Sequence, residues 1–251
     1  MDHTSRTRPV KGLSNETPQP QIGGILSQPG VPRRRIFVVD HCPLLRHGLA
    51  RLIESDAGLE LCGEADCVST ADTLMRVEKP HLILLDLHLG NGDALHFIKS
   101  VRTFHAGVRV LVMSEHDDLS MVERCLRAGA DGYITKCVPV AEVIEAMHCV
   151  LEGQNYLTRP VAVAMLGKTA FKRKSRPENG VEALTDRELH VFQLVGRGLG
   201  TSRIAKELGV SPKTIEAHRE HIKMKIGAAN AQELVAAASA WVKAGYIATA
   251  V

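Results

Sequence analysis

Asp40, Asp86, Ser114 and Lys136 each stand at or just after the end of an apolar run. Brought together, they make a set that can do nucleophilic chemistry. A carboxylate can attack a phosphoryl donor and become an acyl phosphate, provided that its charge is neutralised in the transfer. An ammonium group supplies such neutralisation, and a hydroxyl can donate to a phosphoryl oxygen. A lone aspartate at a strand end more often caps the next helix. Chemistry therefore requires that the chain bring all four to one place.

The elements that must position them alternate in type. Ile36 to Asp40 is a short apolar run, and Leu44 to Ile53 carries helical spacing. Leu59 to Gly63, His81 to Asp86, Val108 to Ser114 and Gly132 to Ile134 read as further strands. Helices are expected over Ala71 to Val77, through Met121 and Arg127, and over Val140 to Leu151. Near-continuous apolar strands alternating with helices imply a parallel sheet covered on both faces. Five such units make a flavodoxin-like, doubly wound five-stranded α/β sheet, whose ligands bind beyond the carboxyl ends of the strands. The four polar residues would then share one rim.

The last block, Leu184 to about Trp241, has no strand pattern and reads as four helices. Thr185 precedes Asp186 and Glu188 as at a capped start. Ile204, Ala205 and Leu208 mark a short second helix, and Gly209-Val210-Ser211 a tight turn. Ser211 is a candidate N-cap with Pro212 at the first helical position. The third helix runs to about Ile226, and an alanine-rich fourth covers Ala231 to about Val242. Two helices joined by a short Gly-containing turn form a helix-turn-helix. On the third helix Ile215, Ile222 and Ile226 face inward. Lys213, Thr214, Arg219, Lys223 and Lys225 are candidate phosphate contacts, because cations and hydroxyls position a protein on a nucleic-acid backbone.

Bulk composition sets wider bounds. The 251 residues are 45% hydrophobic and 24% charged, with only 4% aromatic, so the cores must be aliphatic. A net charge of +3 does not by itself indicate nucleic-acid binding. No apolar run approaches the roughly 20 residues of a membrane span, and no signal-peptide segment is visible, so a cytoplasmic location is expected. Six cysteines without a C-x-x-C pair read as reduced thiols. The basic stretch Lys168, Lys172, Arg173, Lys174 and Arg176 reads as solvated linker, with a place beside phosphates as the alternative.

The run Gly129 to Lys136, together with Asp86 and Ser114, is similar to the receiver domain of the NarL/FixJ family of response regulators. The stretch Ile204 to Arg219, with Leu184 to Glu188 before it, resembles that family's LuxR-type DNA-binding domain. The resemblance implies a two-component response regulator that binds double-stranded DNA as a homodimer, takes a phosphoryl group from a sensor histidine kinase, and is not an enzyme. It implies Asp86 as phosphoacceptor, Ser114 and Tyr133 as the switch pair, and Lys136 as the ammonium of the site. Mg²⁺ would be held by acids including Asp40 and Asp86. Glu216, Ala217 and Glu220 fall where family members touch bases, as cytosine and thymine-methyl contacts; pairing of the two glutamates with Arg219 and Lys223 is the plainer alternative. The expected organisation is a disordered tail at 1–33, the receiver at 34–155, a linker at 156–183 and the DNA-binding domain at 184–251.

Three departures stand out. Asp40 is followed by His41, where the family has a second acid. Gly90 stands in place of a proline, and Ala94 follows Asp93 where a glycine is common. Histidine is a poor ligand for a hard, oxygen-preferring ion. Three readings of His41 stay open: weakened Mg²⁺ use, a receiver independent of phosphorylation and governed by protein–protein contact, or recruitment of a softer metal with Cys42 or Asp86. An enzyme on a flavodoxin-like sheet is a further rival, weakened by the lack of a glycine fingerprint or nucleophile elbow.

Overall fold

The computed structural model describes residues 32–89, 93–115, 117–171 and 179–247, with side chains described outside 168–171 and 245–247. The tail through residue 31, Gly90 and most of the basic stretch lie outside the described residues.

The first domain opens with β1 (Arg34–Val39), α1 (Pro43–Ser55), β2 (Leu59–Ala65), α2 (Val68–Glu78) and β3 (Leu82–Asp86). It continues through α3 (Ala94–Phe104), β4 (Arg109–Ser114), α4 (Leu119–Ala128), β5 (Gly132–Thr135) and α5 (Val140–Leu151). The strands lie in the order β2-β1-β3-β4-β5-β6, all parallel. The expected five strands are present. A short sixth, β6 (Tyr156–Leu157), pairs with β5. It comes from the stretch read in the sequence as the start of the linker. Two residues are too few to show an apolar period, which is why the sequence did not reveal it.

Alternation along the strands separates two cores. Ile36, Val38, Leu82, Leu84, Leu111 and Met113 face α1 and α5. Phe37, Val39, Ile83, Leu85, Val110 and Val112 face α2, α3 and α4. Phe37 lies so close to Gly63 that a Cβ there would meet its ring at 2.6 Å. Burial pushes the Cys62 thiol up to about 11 and that of Cys125 up to about 12, so neither is a thiolate at neutral pH.

After α6 (Arg159–Phe171) and a single 3₁₀ turn (Val181–Ala183) come four helices: α7 (Asp186–Gly196), α8 (Thr201–Glu207), α9 (Pro212–Ile226) and α10 (Ala231–Ile247). The capping box at Thr185 and Glu188 forms as the sequence pattern predicts. Ser211 caps α9 through the Thr214 amide, with Pro212 at its first position. Gly209 takes φ +64° in the turn and Gly227 φ +74° at the end of α9, both left-handed positions that favour glycine. Residues Leu184, Leu189, Phe192, Ile204, Ile215, Leu234 and Ala238 form the centre of this domain. That centre is continuous with the α2–α4 core of the sheet domain. Among the described residues no helix is long and apolar enough to cross a membrane.

Candidate phosphoacceptor pocket and nucleic-acid interface

Asp86 closes β3, Ser114 closes β4, and Asp40 and Lys136 follow β1 and β5. Asp86 pairs with Met113 and Ser114 with Thr135, so parallel register brings these ends onto one rim. Asp40, Asp86 and Ser114 are all buried. The Lys136 ammonium lies 2.8 Å from Asp40 Oδ2 and 3.1 Å from Asp86 Oδ1. Burial pulls its pKa down, but the Asp86 and Asp40 carboxylates outweigh that and hold it above the ordinary lysine value. The His88 amide donates to Asp86 Oδ1 at 3.0 Å, and the Cys42 amide to Asp40 Oδ1 at 2.7 Å. Arg46 donates to the Asp40 carbonyl and so fixes the start of the β1–α1 loop.

His41 completes the pocket. Its Nδ1 is 2.8 Å from Asp86 Oδ2 and 3.8 Å from Asp40 Oδ1, with the side chain 48% exposed. Each Asp86 oxygen thus has a partner: Oδ1 has Lys136 and the His88 amide, Oδ2 has His41. Asp40, His41 and Asp86 each offer an atom within 4.8 Å of the others, close enough to hold one metal ion. Cys42 is not in this group; it precedes α1 at the N-cap position.

Tyr133 on β5 is fully buried, and its hydroxyl hydrogen-bonds with Ser114. Burial raises its pKa far above the tyrosine range, so it stays protonated. Asp93 caps α3 by accepting from the His96 amide, which places Ala94 at the first helical position.

The second candidate site is the outer face of α9. Lys213, Thr214, Glu216, Ala217 and Glu220 are exposed there, while Arg219, Lys223 and Lys225 are half-buried. Ile215 and Ile222 are buried as expected, and Ile226 packs against the core with partial exposure. Lys223 pairs with Glu220 at 2.9 Å, the plainer of the two readings of that glutamate. Glu216 has no ion pair among the described residues. Thr214 Oγ1 is 2.8 Å from the Ser211 hydroxyl and is thereby tied to the cap.

Lys225, read from the sequence as a phosphate contact, turns instead to Glu188 Oε2 at 2.6 Å. Glu188 is buried. Burial alone would raise its pKa, but Lys225 and the Thr185 backbone and hydroxyl hold it below the usual range. A buried carboxylate needs a partner, and Lys225 is the cation that supplies it.

A third cluster, between the domains, had no signal in the sequence. Arg124 on α4 is buried. It donates to Asp186 Oδ1 at 2.9 Å, to the Glu182 carbonyl at 3.0 Å and to the Leu184 carbonyl at 2.6 Å. Lys99 on α3 reaches the other Asp186 oxygen. Beside them His190 on α7 lies 3.3 Å from Asp93, at the end of the loop that follows Asp86. Burial would raise the Asp186 pKa, but Lys99 and Arg124 hold it low. The second domain is therefore clamped by its first helix to α3, α4 and the β3–α3 loop. An open cleft of about 840 Å³ separates α2 and α3 from the start of α7 and the end of α8 beside this clamp. Arg124→Ala would strand two carbonyls and leave Asp186 with Lys99 as its partner. It is expected to remove about 3 kcal/mol of interdomain contact. The radius of gyration measured by X-ray scattering should rise while both domains stay folded; an unchanged value would contradict the clamp.

A rim of two buried carboxylates and an ammonium on a doubly wound sheet, joined to a helix-turn-helix, is the arrangement of a receiver coupled to a DNA-binding output domain. Residues 36–148 match the response regulator receiver domain, and residues 182–238 match the bacterial regulatory proteins of the luxR family. The transcriptional regulatory protein MctR of Rhizobium johnstonii is 30% identical over 196 residues, which are 78% of this chain and 88% of that one. The probable transcriptional regulatory protein NarL of Mycobacterium tuberculosis is 29% identical over 213 residues, 85% of this chain and 97% of the relative. In fold, the RcsB response regulator of Salmonella typhimurium superposes with a TM-score of 0.65 at 19% identity, covering 83% of this chain and 98% of that one. The chain belongs to the NarL/FixJ-type response regulators and is a DNA-binding transcription regulator.

Proposed function

We propose that Asp86 is the phosphoryl acceptor of this regulator and that its modification changes how the luxR-type domain engages DNA. The observation that carries this reading is the Lys136 ammonium bridging the two buried carboxylates at one rim. A sensor histidine kinase is the fitting donor. One P–O bond forms at an Asp86 oxygen as the P–N bond of a phosphohistidine breaks, and the imidazole leaves with the electron pair. Lys136 balances the charge that gathers on the phosphoryl oxygens. The Ser114 hydroxyl then exchanges Tyr133 for a phosphoryl oxygen, and the β4–α4 loop moves with it. Arg124 sits on α4, so that movement loosens the clamp on Asp186.

The receiver would comprise 34–155 with β6 attached, the linker the rest to 183, and the DNA-binding domain 184–251. A dimer through the exposed, alanine-rich face of α10 fits two-fold symmetric DNA sites. The cytoplasm is the compartment where DNA and kinase are both reachable.

Mg²⁺ does not suit the donor set. It takes oxygen ligands in near-ideal octahedra, and His41 puts an imidazole nitrogen where the second acid would stand. His41 also covers Asp86 Oδ2, and this favours a second reading in which the receiver works without phosphorylation. The deciding experiment offers a small phosphodonor with Mg²⁺ to the wild type and to His41→Asp. An acyl phosphate on both, faster on the variant, supports the phospho-switch. No phosphorylation of either would sink it.

On α9, Lys213 is the proposed phosphate contact of the first turn, with Arg219 along the same helix; Glu216 and Ala217 face the bases, while Glu220 holds Lys223 in a pair on the helix surface. Lys213→Ala is expected to weaken binding to every duplex alike and to lower the slope of log affinity against log salt by about 1. An unaltered slope would remove Lys213 from the phosphate-contacting set.

A further inference from the structure

We propose that the pocket around Asp86 holds a borderline divalent transition ion, of the Co²⁺, Ni²⁺ or Zn²⁺ kind, through one nitrogen and two oxygens. The ligands are His41 Nδ1, Asp86 Oδ2 and Asp40 Oδ1.

The carboxylates are already sorted for this. Each gives one oxygen to Lys136: Asp40 Oδ2 at 2.8 Å and Asp86 Oδ1 at 3.1 Å. Each turns its other oxygen towards the imidazole, Asp86 Oδ2 at 2.8 Å and Asp40 Oδ1 at 3.8 Å from Nδ1. Two ligand atoms about 2.1 Å from one ion stand roughly 3.0 Å apart at a right angle and roughly 3.4 Å apart at a tetrahedral angle. The observed separations bracket those values. An ion can sit between His41 Nδ1 and Asp86 Oδ2 with shifts of less than about an ångström on that scale. Ligation through Nδ1 uses the neutral tautomer that carries its proton on Nε2.

Charge and access agree with the geometry. Lys136 offsets one of the two negative charges and an ion offsets the rest. The Cys42 amide and the Arg46 guanidinium hold the Asp40 end of the set in place. His41 is half exposed, so an ion can arrive from solvent and complete its coordination with water. Imidazole favours Co²⁺, Ni²⁺ and Zn²⁺, whereas Mg²⁺ dehydrates reluctantly and seeks oxygen. The substitution at position 41 thus reads as a change of metal preference.

The test uses the full chain, stripped with a chelator and free of phosphodonor, so it is independent of whether Asp86 is phosphorylated. Co²⁺ is titrated while its visible absorption is followed, with Mg²⁺ competition measured by calorimetry. The chain has 12 histidines, so wild type is compared with His41→Ala, His41→Asp and Asp86→Asn. The expected result is one Co²⁺ whose affinity falls at least tenfold in His41→Ala and in Asp86→Asn. The ratio of Co²⁺ to Mg²⁺ affinity should fall at least tenfold in His41→Asp. Equal Co²⁺ affinity in wild type and His41→Ala would overturn the proposal. So would a Co²⁺ to Mg²⁺ ratio that does not change in His41→Asp.

Discussion

Asp86→Asn is expected to take up no phosphoryl group from a small donor, where the wild-type chain gains one hydroxylamine-labile phosphate by intact-mass measurement. A carboxamide oxygen is not a nucleophile of useful strength, and among the described residues no second aspartate stands in the same geometry. Asp40 Oδ2 is committed to Lys136, and its Oδ1 accepts from the Cys42 amide. The variant should fold. Lys136 keeps Asp40, the carboxamide oxygen that replaces Asp86 Oδ1 can still accept from the His88 amide, and the apolar cores on both sides of the sheet are untouched. Replacing one of two neighbouring carboxylates also relieves like-charge repulsion, so a thermal midpoint within a few degrees of wild type is expected. A full phosphate on Asp86→Asn would move the acceptor elsewhere and would remove the basis of the switch.

The largest expected effect on stability is that of Gly196→Ala. Gly196 ends α7 against α10. A Cβ there would meet the Ala238 carbonyl oxygen at 2.4 Å, its carbon at 2.7 Å and Val242 Cγ2 at 2.7 Å. Two of these atoms are backbone and cannot rotate away, so α10 must move off α7. Overpacking of this kind costs about 3 kcal/mol. A domain of this size has only about 3–10 kcal/mol to lose. The second domain of the variant should therefore melt, and lose its DNA binding with it, at a clearly lower temperature than in wild type. Gly200→Ala is the matching control, since a Cβ there meets nothing within 4 Å and the residue has φ −77°. Equal melting of the two variants would contradict the close approach of α7 and α10.

Much of this was legible in the residues. Strands such as Leu82–Asp86 are apolar throughout because both faces are covered, and each ends on the polar residue that the rim requires. The caps at Thr185 and Ser211 act within four residues, so a local pattern announces them. Helix α3 (Ala94–Phe104) was not singled out from the sequence, although it buries Leu95, Phe97, Ile98 and Val101. Its buried residues follow a helical period, a local signal that the sequence carries. The interdomain clamp is a different matter. Arg124 and Asp186 are 62 residues apart, and nothing in either one's surroundings distinguishes a clamp from a solvated charge. The same holds for Lys225, whose bond to Glu188 spans 37 residues and ties a half-buried ammonium to a buried carboxylate. His41 lies between these cases. Its type signalled a departure from the family, but only the fold shows its ring on Asp86 Oδ2.

The measurement that tests the account most directly is the affinity of the full chain for a duplex selected by it from a random pool, with and without a phosphodonor, in wild type and Asp86→Asn. Coupling between two sites in one protein typically amounts to about 1–3 kcal/mol, or about 5- to 150-fold in affinity. Phosphorylation is expected to change the affinity at least about fivefold on that scale in wild type and not at all in Asp86→Asn. Wild-type protein that carries phosphate on Asp86 yet binds the duplex as the unmodified chain does would contradict it.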